Sequence, residues 1–344
     1  MAGINQPEGA VKTLADVARL AGVSKSTVSR ALSDSPLIAS ETKERIRSIA
    51  RKHDFQINVP ARRLSLKQSR TIALVTYEYK SGVGLPDAFM LEIMSGISSG
   101  LHSNDYDLLV VNIDPSETDW VRRYLESGRV DGFILLSVTC TPQHLDALAD
   151  LRAPFIVWGI PAGSHGGFSS VVGDSVAGGR IATEHLLHTG RTRIAFLGGP
   201  ARSTEVQERY RGYEEAHRAA GLEVDTALVT HANWMHPDTL GRAAMLELLE
   251  RVPDVDAVFA NSDLLAFAAM QAVRGRGRRI PEDIAVIGYD DVSIARHSAP
   301  PLTTVRQNGP LAGRLLAENL IQHILTGAVT SVTIPAELVI RESA

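Results

Sequence analysis

Lys25, Ser26, Ser29 and Arg30 fall within six residues of one another, and all four can donate hydrogen bonds. On a helix they share one side, a surface suited to base edges and phosphates in a DNA groove. Val28, Ala31 and Leu32 would be the buried side of that helix, with Ser24 capping it. The preceding residues supply what holds it in place. Thr13 and Asp16 have capping-box spacing, and Leu14, Val17, Ala18 and Ala21 recur at helical period. Gly22 can end that first helix in the left-handed conformation, after which Val23 drops into the core. Two short helices and a tight turn make a helix-turn-helix, whose second helix enters the major groove by its N-terminal end. Capped amphipathic helices occur in any helical bundle, so the neighbours matter. Ser40 is expected to cap a third helix carrying Ile46, Ile49 and Ala50 inward, with Phe55 as a further anchor.

The stretch from Asn58 to Ser69, NVPARRLSLKQS, is too short and too basic to be a core element. Asn58 followed by Pro60 is a fitting start for a brief helix on which Ala61 and Leu64 share a face. Charge follows the same division. Residues 1–69 hold 12 Lys plus Arg against 6 Asp plus Glu, a charge of +6 in a chain whose total is −4, so the remainder carries −10. Positive charge near phosphates supplies the sequence-independent part of DNA affinity, while an acidic body stays off the duplex.

The 344 residues exceed what one hydrophobic core usually serves. From Thr71 onward, short apolar runs alternate with amphipathic segments. Thr71 to Thr76, Leu108 to Asn112, Gly132 to Leu136 and Pro154 to Trp158 read as buried parallel strands. Helices are expected near Phe89 to Leu101, Thr118 to Glu126 and Pro142 to Leu151. A second series has strands at Ile194 to Gly198, Leu228 to Thr230, Ala257 to Ala260 and Ala285 to Gly288. Its helices are expected near Val176 to Leu187, Glu205 to Ala220, Pro237 to Leu249 and Leu264 to Arg274. This alternation implies an α/β architecture of two doubly wound lobes, with ligands bound beyond the carboxyl ends of the strands. A single cysteine, Cys140, excludes a disulfide framework and a cysteine-based zinc site. The first residues lack a signal-peptide pattern and no apolar run is long enough to span a bilayer, so a cytoplasmic location is expected.

The run DVARLAGVSKSTVSRAL, residues 16–32, resembles the headpiece signature of the LacI/GalR family of transcription regulators, and NVPARRLSL resembles its hinge helix. The match extends over nearly the whole chain. It implies a three-helix headpiece at 11–57, a hinge at 58–69, and at 70–344 a two-lobed effector-binding domain of the type I periplasmic-binding-protein fold, after a terminal lead at 1–10 that is expected to be disordered. Within it, Thr303 to Arg306 and the helix from Pro310 to Leu325 are expected to return to the first lobe. The resemblance makes Lys25, Ser26 and Arg30 base readers and Thr27 and Ser29 phosphate contacts. Asn58, Ala61, Arg62 and Leu64 become hinge contacts, Leu64 being the minor-groove wedge. One departure is Ile57 before the hinge asparagine, where the family often has proline.

Two further motifs, ATEHLLHTGRTRIAFLGGP at 182–200 and PEDIAVIGYDD at 281–291, resemble the family's effector domain. By that resemblance Arg209 clamps the ligand and Asp290 takes its hydroxyls. Phe89 and Trp234 fall where an aromatic stacks on a ligand ring, and Ser137, Ser262, Asp263 and Gln307 fall at strand ends facing the cleft. Phe89 and Trp234 would serve equally as core residues, and Asp263 would serve equally to cap a helix starting at Leu264. In VWGIP, Gly159 stands where many members carry a polar residue, so the pocket is widened, and a glycoside or disaccharide is as compatible as a monosaccharide. A nucleobase or another polar metabolite stays open.

No HExxH or GxxxxGKS/T pattern occurs, and SGVGLP at 81–86 lacks the third glycine of a nucleotide loop. An enzyme is therefore not expected, nor a cofactor or metal. A solute-binding protein serving a transporter would share the fold but would need a signal peptide and no basic headpiece. One helix-turn-helix reads little DNA, so a homodimer on a palindromic operator is the expected working unit, probed by a small-molecule effector, most simply a sugar, and acting as a repressor. After ELVI the sequence offers no leucine-heptad tail for a tetramer.

Overall fold

The computed structural model describes residues 11, 13–55, 68–77, 88–137, 140–161, 167–232 and 241–344. Asn58, Ala61, Arg62 and Leu64 of the hinge, the SGVGLP stretch and Trp234 lie outside the described residues. The chain divides into two compact units, one ending at Ser69 and one beginning at Arg70.

The first unit contains α1 (Leu14–Ala21), α2 (Lys25–Leu32) and α3 (Ser40–Lys52). The capping box forms as its residue types require: Thr13 Oγ1 accepts from the Asp16 amide at 3.2 Å, and Asp16 Oδ2 accepts from the Thr13 amide at 3.0 Å. Gly22 ends α1 at φ 63°, and Ser24 caps α2 by accepting from the Thr27 amide at 3.1 Å. Val17, Ala18, Ala21, Val28, Ala31 and Ile46 form the core, with Leu14, Val23, Leu32, Ile49 and Phe55 packed around it. Ser40 does not cap α3. It is already the first helical residue, because the Lys43 amide bonds to the Ala39 carbonyl, which leaves Ala39 in the cap position with no side-chain bond.

The second unit is built from two six-stranded sheets. The first lobe has the order β11-β5-β4-β3-β1-β2, with all neighbours parallel. Its strands are β1 (Thr71–Tyr77), β2 (Asp107–Ile113), β3 (Gly132–Leu136), β4 (Phe155–Trp158), β5 (Ser169–Gly173) and β11 (Ser331–Ile334). The second lobe has the order β12-β10-β9-β8-β6-β7, parallel except for the β10–β12 pair. Its strands are β6 (Ile194–Gly198), β7 (Val229–His231), β8 (Ala257–Ala260), β9 (Ala285–Asp290), β10 (Thr303–Arg306) and β12 (Glu337–Val339). Alternate residues face opposite sides of each sheet, so each lobe has two cores. On β1, Ile72 and Leu74 join one core, Ala73 and Val75 the other. On β6, Phe196 faces away from Ala195 and Leu197 in the same way.

In the first lobe, α4 (Ala88–His102) and α12 (Gly309–Thr326) cover one face, while α5 (Trp120–Leu125) and α6 (Pro142–Asp150) cover the other. In the second, α7 (Ser175–His188) and α8 (Thr204–Ala219) lie opposite α9 (Arg242–Arg251) and α10 (Asp263–Gly275), with α11 (Ser293–His297) after β9. The α7–α8 contact is a backbone-to-backbone approach. A Cβ on Gly179 would lie 2.1 Å from the Arg209 carbonyl oxygen, and one on Gly212 would lie 2.1 Å from that of Val176. These glycines set the depth at which α8 sits, and so the place from which Arg209 reaches out.

The chain passes between lobes three times: from β5 to α7, from β10 to α12, and from β11 to β12. Thr303–Arg306 therefore does not return to the first lobe with the helix that follows. It pairs along β9 from Thr303 opposite Ile287 to Arg306 opposite Asp290, and Val305 is buried with Tyr289 in the second-lobe core. The crossing comes at Gln307 and Asn308, where Asn308 takes φ 52° and caps α12. Strands β5 and β11 are additions to the expected set. No described helix is long and apolar enough to cross a membrane.

Candidate functional site

The carboxyl ends of β3, β4, β5, β8 and β9 converge on a cleft within the second unit, enclosing about 920 Å³ out to its mouth. The two walls differ in chemistry. The first lobe contributes Phe89, Met90, Ile93, Leu136 and Trp158, with Ser137 and Gly159 beside them. Phe89 and Trp158 form an aromatic corner, their centroids 5.9 Å apart at 52°. The second lobe contributes Glu205, Glu208, Arg209, Asn261, Ser262 and Asp290, with Gln307 at the crossing.

Arg209 is the centre of the polar wall. Its Nη1 donates to the Asn261 carbonyl at 2.6 Å, its guanidinium lies 3.6 Å above the Tyr289 ring, and Nη2 is 4.0 Å from Asp290 Oδ1. Stacking and a fixed carbonyl hold the planar group in one orientation, which a lysine would not reproduce. Gln307 Nε2 donates to Asp290 Oδ1 at 2.6 Å, so the crossing strand is tied to the same carboxylate. Asp290 sits at φ 112°, a strained backbone costing on the order of 1–3 kcal/mol that clusters at functional sites. Arg209 Nε and both side-chain polar atoms of Asn261 are buried without a hydrogen-bond partner. Each such atom costs about 1–3 kcal/mol unless something fills its bonding capacity. A ligand that offers both donors and acceptors would do so.

Thus Phe89, Ser137, Arg209, Ser262, Asp290 and Gln307 are brought together. Asp263 is not among them. Its carboxylate is fully buried beneath the cleft, accepting from the Val292 amide at 2.8 Å and from the Thr304 hydroxyl. The cap of α10 is Ser262, whose Oγ accepts from the Leu265 amide at 3.2 Å. Asp263 ties α10 to the segment after β9 and to β10, a role that the sequence reading divided between ligand contact and cap. Asn261, Trp158, Glu205 and Glu208 are additions. Asn261 directly follows β8 and precedes Ser262, so its place at a strand end was the signal for it. Gly159 lines the cleft at φ 82°, where a Cβ would meet Ser137 Oγ at 2.9 Å, so glycine answers both conformation and space.

Burial lifts the Asp263 carboxyl from 3.8 to about 7, against the opposing pull of the Thr304 and Val292 bonds. The folded protein therefore keeps a proton that the unfolded chain has released. Stability falls as pH rises from about 4 to about 7, with a slope of up to about 1.4 kcal/mol per pH unit from this group, and its contribution is flat outside that window. Urea midpoints measured from pH 4.5 to 7.5 are expected to decline less steeply in Asp263→Asn than in the wild type. Parallel slopes would assign the titration to other groups.

In the first unit, Lys25, Ser26 and Arg30 are exposed, while Thr27 and Ser29 are half-buried. Ser24 Oγ lies 2.8 Å from both Ser26 Oγ and Thr27 Oγ1, so the start of α2 is a chain of hydroxyls at a helix N-terminus.

A helix-turn-helix unit and a two-lobed α/β unit with a polar cleft define a class: DNA-binding regulators that carry a periplasmic-binding-protein-like domain. Comparison with known proteins agrees. Residues 13–58 match the bacterial regulatory proteins of the lacI family, and residues 183–344 match the periplasmic binding protein-like domain. The HTH-type transcriptional regulator CelR of Thermobifida fusca is 38% identical over 339 residues, covering 96% of this chain and 98% of that protein. The HTH-type transcriptional repressor PurR of Vibrio cholerae is 31% identical over 318 residues, 91% of each. Among solved structures, the complex of CelR with cellobiose matches with a TM-score of 0.74 at 35% identity, over 96% of this chain and 99% of that one. The lac repressor dimer bound to operator and an anti-inducer matches with a TM-score of 0.80 at 26% identity, over 96% and 98%. The chain belongs to the LacI family and is a DNA-binding transcriptional regulator, not an enzyme.

Proposed function

We propose that this regulator is a sugar-responsive repressor, acting in the cytoplasm as a homodimer on a palindromic operator, with cellobiose or a related glycoside bound in the cleft. The observation that carries the ligand class is the division of the walls. A pyranose has a C–H face for the Phe89–Trp158 corner and hydroxyls for Arg209, Asn261 and Asp290. The relative solved with cellobiose, similar over nearly the full chain, supports the same class.

A thermal-shift series tests this reading. A ligand specific to the folded state stabilises by about 2.7 kcal/mol at a hundred times its Kd. Cellobiose and related β-glucosides are expected to raise the melting temperature. Stabilisation by a nucleobase, with none by sugars, would move the protein to the nucleobase class that the sequence leaves open.

In the headpiece, Lys25, Ser26 and Arg30 are the residues that read bases, with Thr27 and Ser29 on phosphates. Asn58, Ala61, Arg62 and Leu64 extend the contact through the hinge. A good bidentate contact is worth about 1–3 kcal/mol of discrimination. Exchanging Lys25 and Ser26 together is expected to change the sites recovered from a random-DNA selection and to leave salt-sensitive, non-specific binding in place. Recovery of an unchanged site would remove both residues from the readout.

A further inference from the structure

Two carboxylates on the polar wall, Glu205 and Glu208, belong to neither the clamp nor the aromatic corner. Both are on α8, one turn apart, and both line the cleft that Asn261, whose buried carboxamide has no partner, also lines. Glu205 is reached from the opposite lobe, with Ser137 Oγ 3.4 Å from its Oε1. With Asp290 they place three acidic side chains around the ligand space, against Arg209 alone among the described lining residues. The Arg209 charge is already held by the Asn261 carbonyl, the Tyr289 ring and the neighbourhood of Asp290. We propose that Glu205 and Glu208 are specificity residues that admit an uncharged sugar and reject its phosphorylated or otherwise anionic derivative.

The physical basis is the low capacity of this wall for another negative charge. The Glu208 carboxyl is itself held above its ordinary range, first by burial and then by the charges of Glu205 and Asp174, with Arg211 and Arg209 opposing. An incoming phosphate would add like charge beside partly buried carboxylates that water screens only in part. A hydroxyl, in contrast, donates to a carboxylate in a short, charge-assisted bond. Selection here combines attraction for one ligand with repulsion of its close relative. The signal read by the protein is then the free, uncharged sugar, not the product of a reaction that phosphorylates it.

This inference rests on the sugar-class reading, and the test separates the two. Full-length protein is titrated calorimetrically with cellobiose and with cellobiose 6′-phosphate. The wild type is expected to bind the phosphorylated form at least about 100-fold more weakly, since like-charge juxtaposition of this kind is strongly unfavourable. The double variant Glu205→Gln, Glu208→Gln is expected to lose about 10-fold in cellobiose affinity and to narrow the ratio by at least about 10-fold. Circular dichroism melting checks that it folds, and the single variant Glu208→Gln supplies the intermediate ratio. Equal or tighter binding of the phosphate by the wild type overturns the inference and leaves the sugar reading standing, as does an unchanged ratio in a folded double variant. Binding of neither disaccharide overturns the sugar reading and the inference with it.

Discussion

Arg209→Ala is expected to remove the effector response of this regulator while operator binding without ligand stays at wild-type strength. The guanidinium is fixed from three sides, by the Asn261 carbonyl at 2.6 Å, the Tyr289 ring at 3.6 Å and Asp290 at 4.0 Å. A group so placed offers its remaining donors to a ligand with little ordering cost. Hydrogen bonds to a charged group contribute about 1.5–3 kcal/mol, so truncation should weaken ligand binding roughly 10- to 150-fold. Asp290→Ala should act in the same direction, because its carboxylate is held by Gln307 at 2.6 Å beside the arginine. The residues proposed to read DNA belong to the other compact unit, so the two readouts separate. Calorimetric titration of each variant with cellobiose, paired with operator binding, checks the expectation. Wild-type ligand affinity in Arg209→Ala would put the effector site elsewhere.

The second large effect is expected at Asp291, which the sequence reading left without a role. Its side chain is 2% exposed, at φ 58°, and it receives Arg306 Nε at 2.8 Å on one oxygen and Arg341 Nη2 on the other. Arg306 continues to Glu337 at 3.1 Å, and Arg341 Nη1 donates to the Leu302 carbonyl at 2.7 Å. One buried carboxylate thus ties β9, β10, β12 and the C-terminal residues together, immediately before the β10 crossing. Removing one partner of a buried ion pair costs about 3–5 kcal/mol. The lower end is expected here, since Arg306 is 38% exposed and partly hydrated once released. Asp291→Ala should therefore lose about 3 kcal/mol in urea unfolding, and Asp291→Asn less, because asparagine tolerates the left-handed backbone and keeps an acceptor. A loss below about 1 kcal/mol in Asp291→Ala would mean that the cluster does not hold these segments.

Where function coincided with a local rule, the sequence was readable. The Thr13–Asp16 box, Gly22 and Ser24 each obey short-range capping chemistry, and the folded headpiece forms all three. Arg209 and Asp290 were named by the family resemblance, and a charged residue facing a cleft needs a partner, which gave that naming a physical reason. What escaped depends on pairing across long separations. Strand β5 reads SSVVG and β11 reads SVTI, too short and too polar to announce themselves, yet they pair from Ser170 opposite Ser331 to Gly173 opposite Ile334. Asp263 looked like a cleft residue because it adjoins a strand end. One residue of helical rotation turns it under the floor, where Thr304, 41 positions away, supplies its partner. Glu205 and Glu208 carry no signal of their own in the sequence; it is Ser137 from the opposite lobe that marks Glu205 as a cleft residue.

Occupation of the cleft is expected to set operator affinity. The direct measurement is a fluorescence-anisotropy titration of labelled operator DNA with full-length protein, with and without saturating cellobiose, at fixed salt. Allosteric coupling is typically about 1–3 kcal/mol, so the operator Kd should change about 5- to 150-fold, and the change should vanish in Arg209→Ala. An operator Kd that stays the same while calorimetry shows cellobiose bound would mean that the cleft does not control DNA binding.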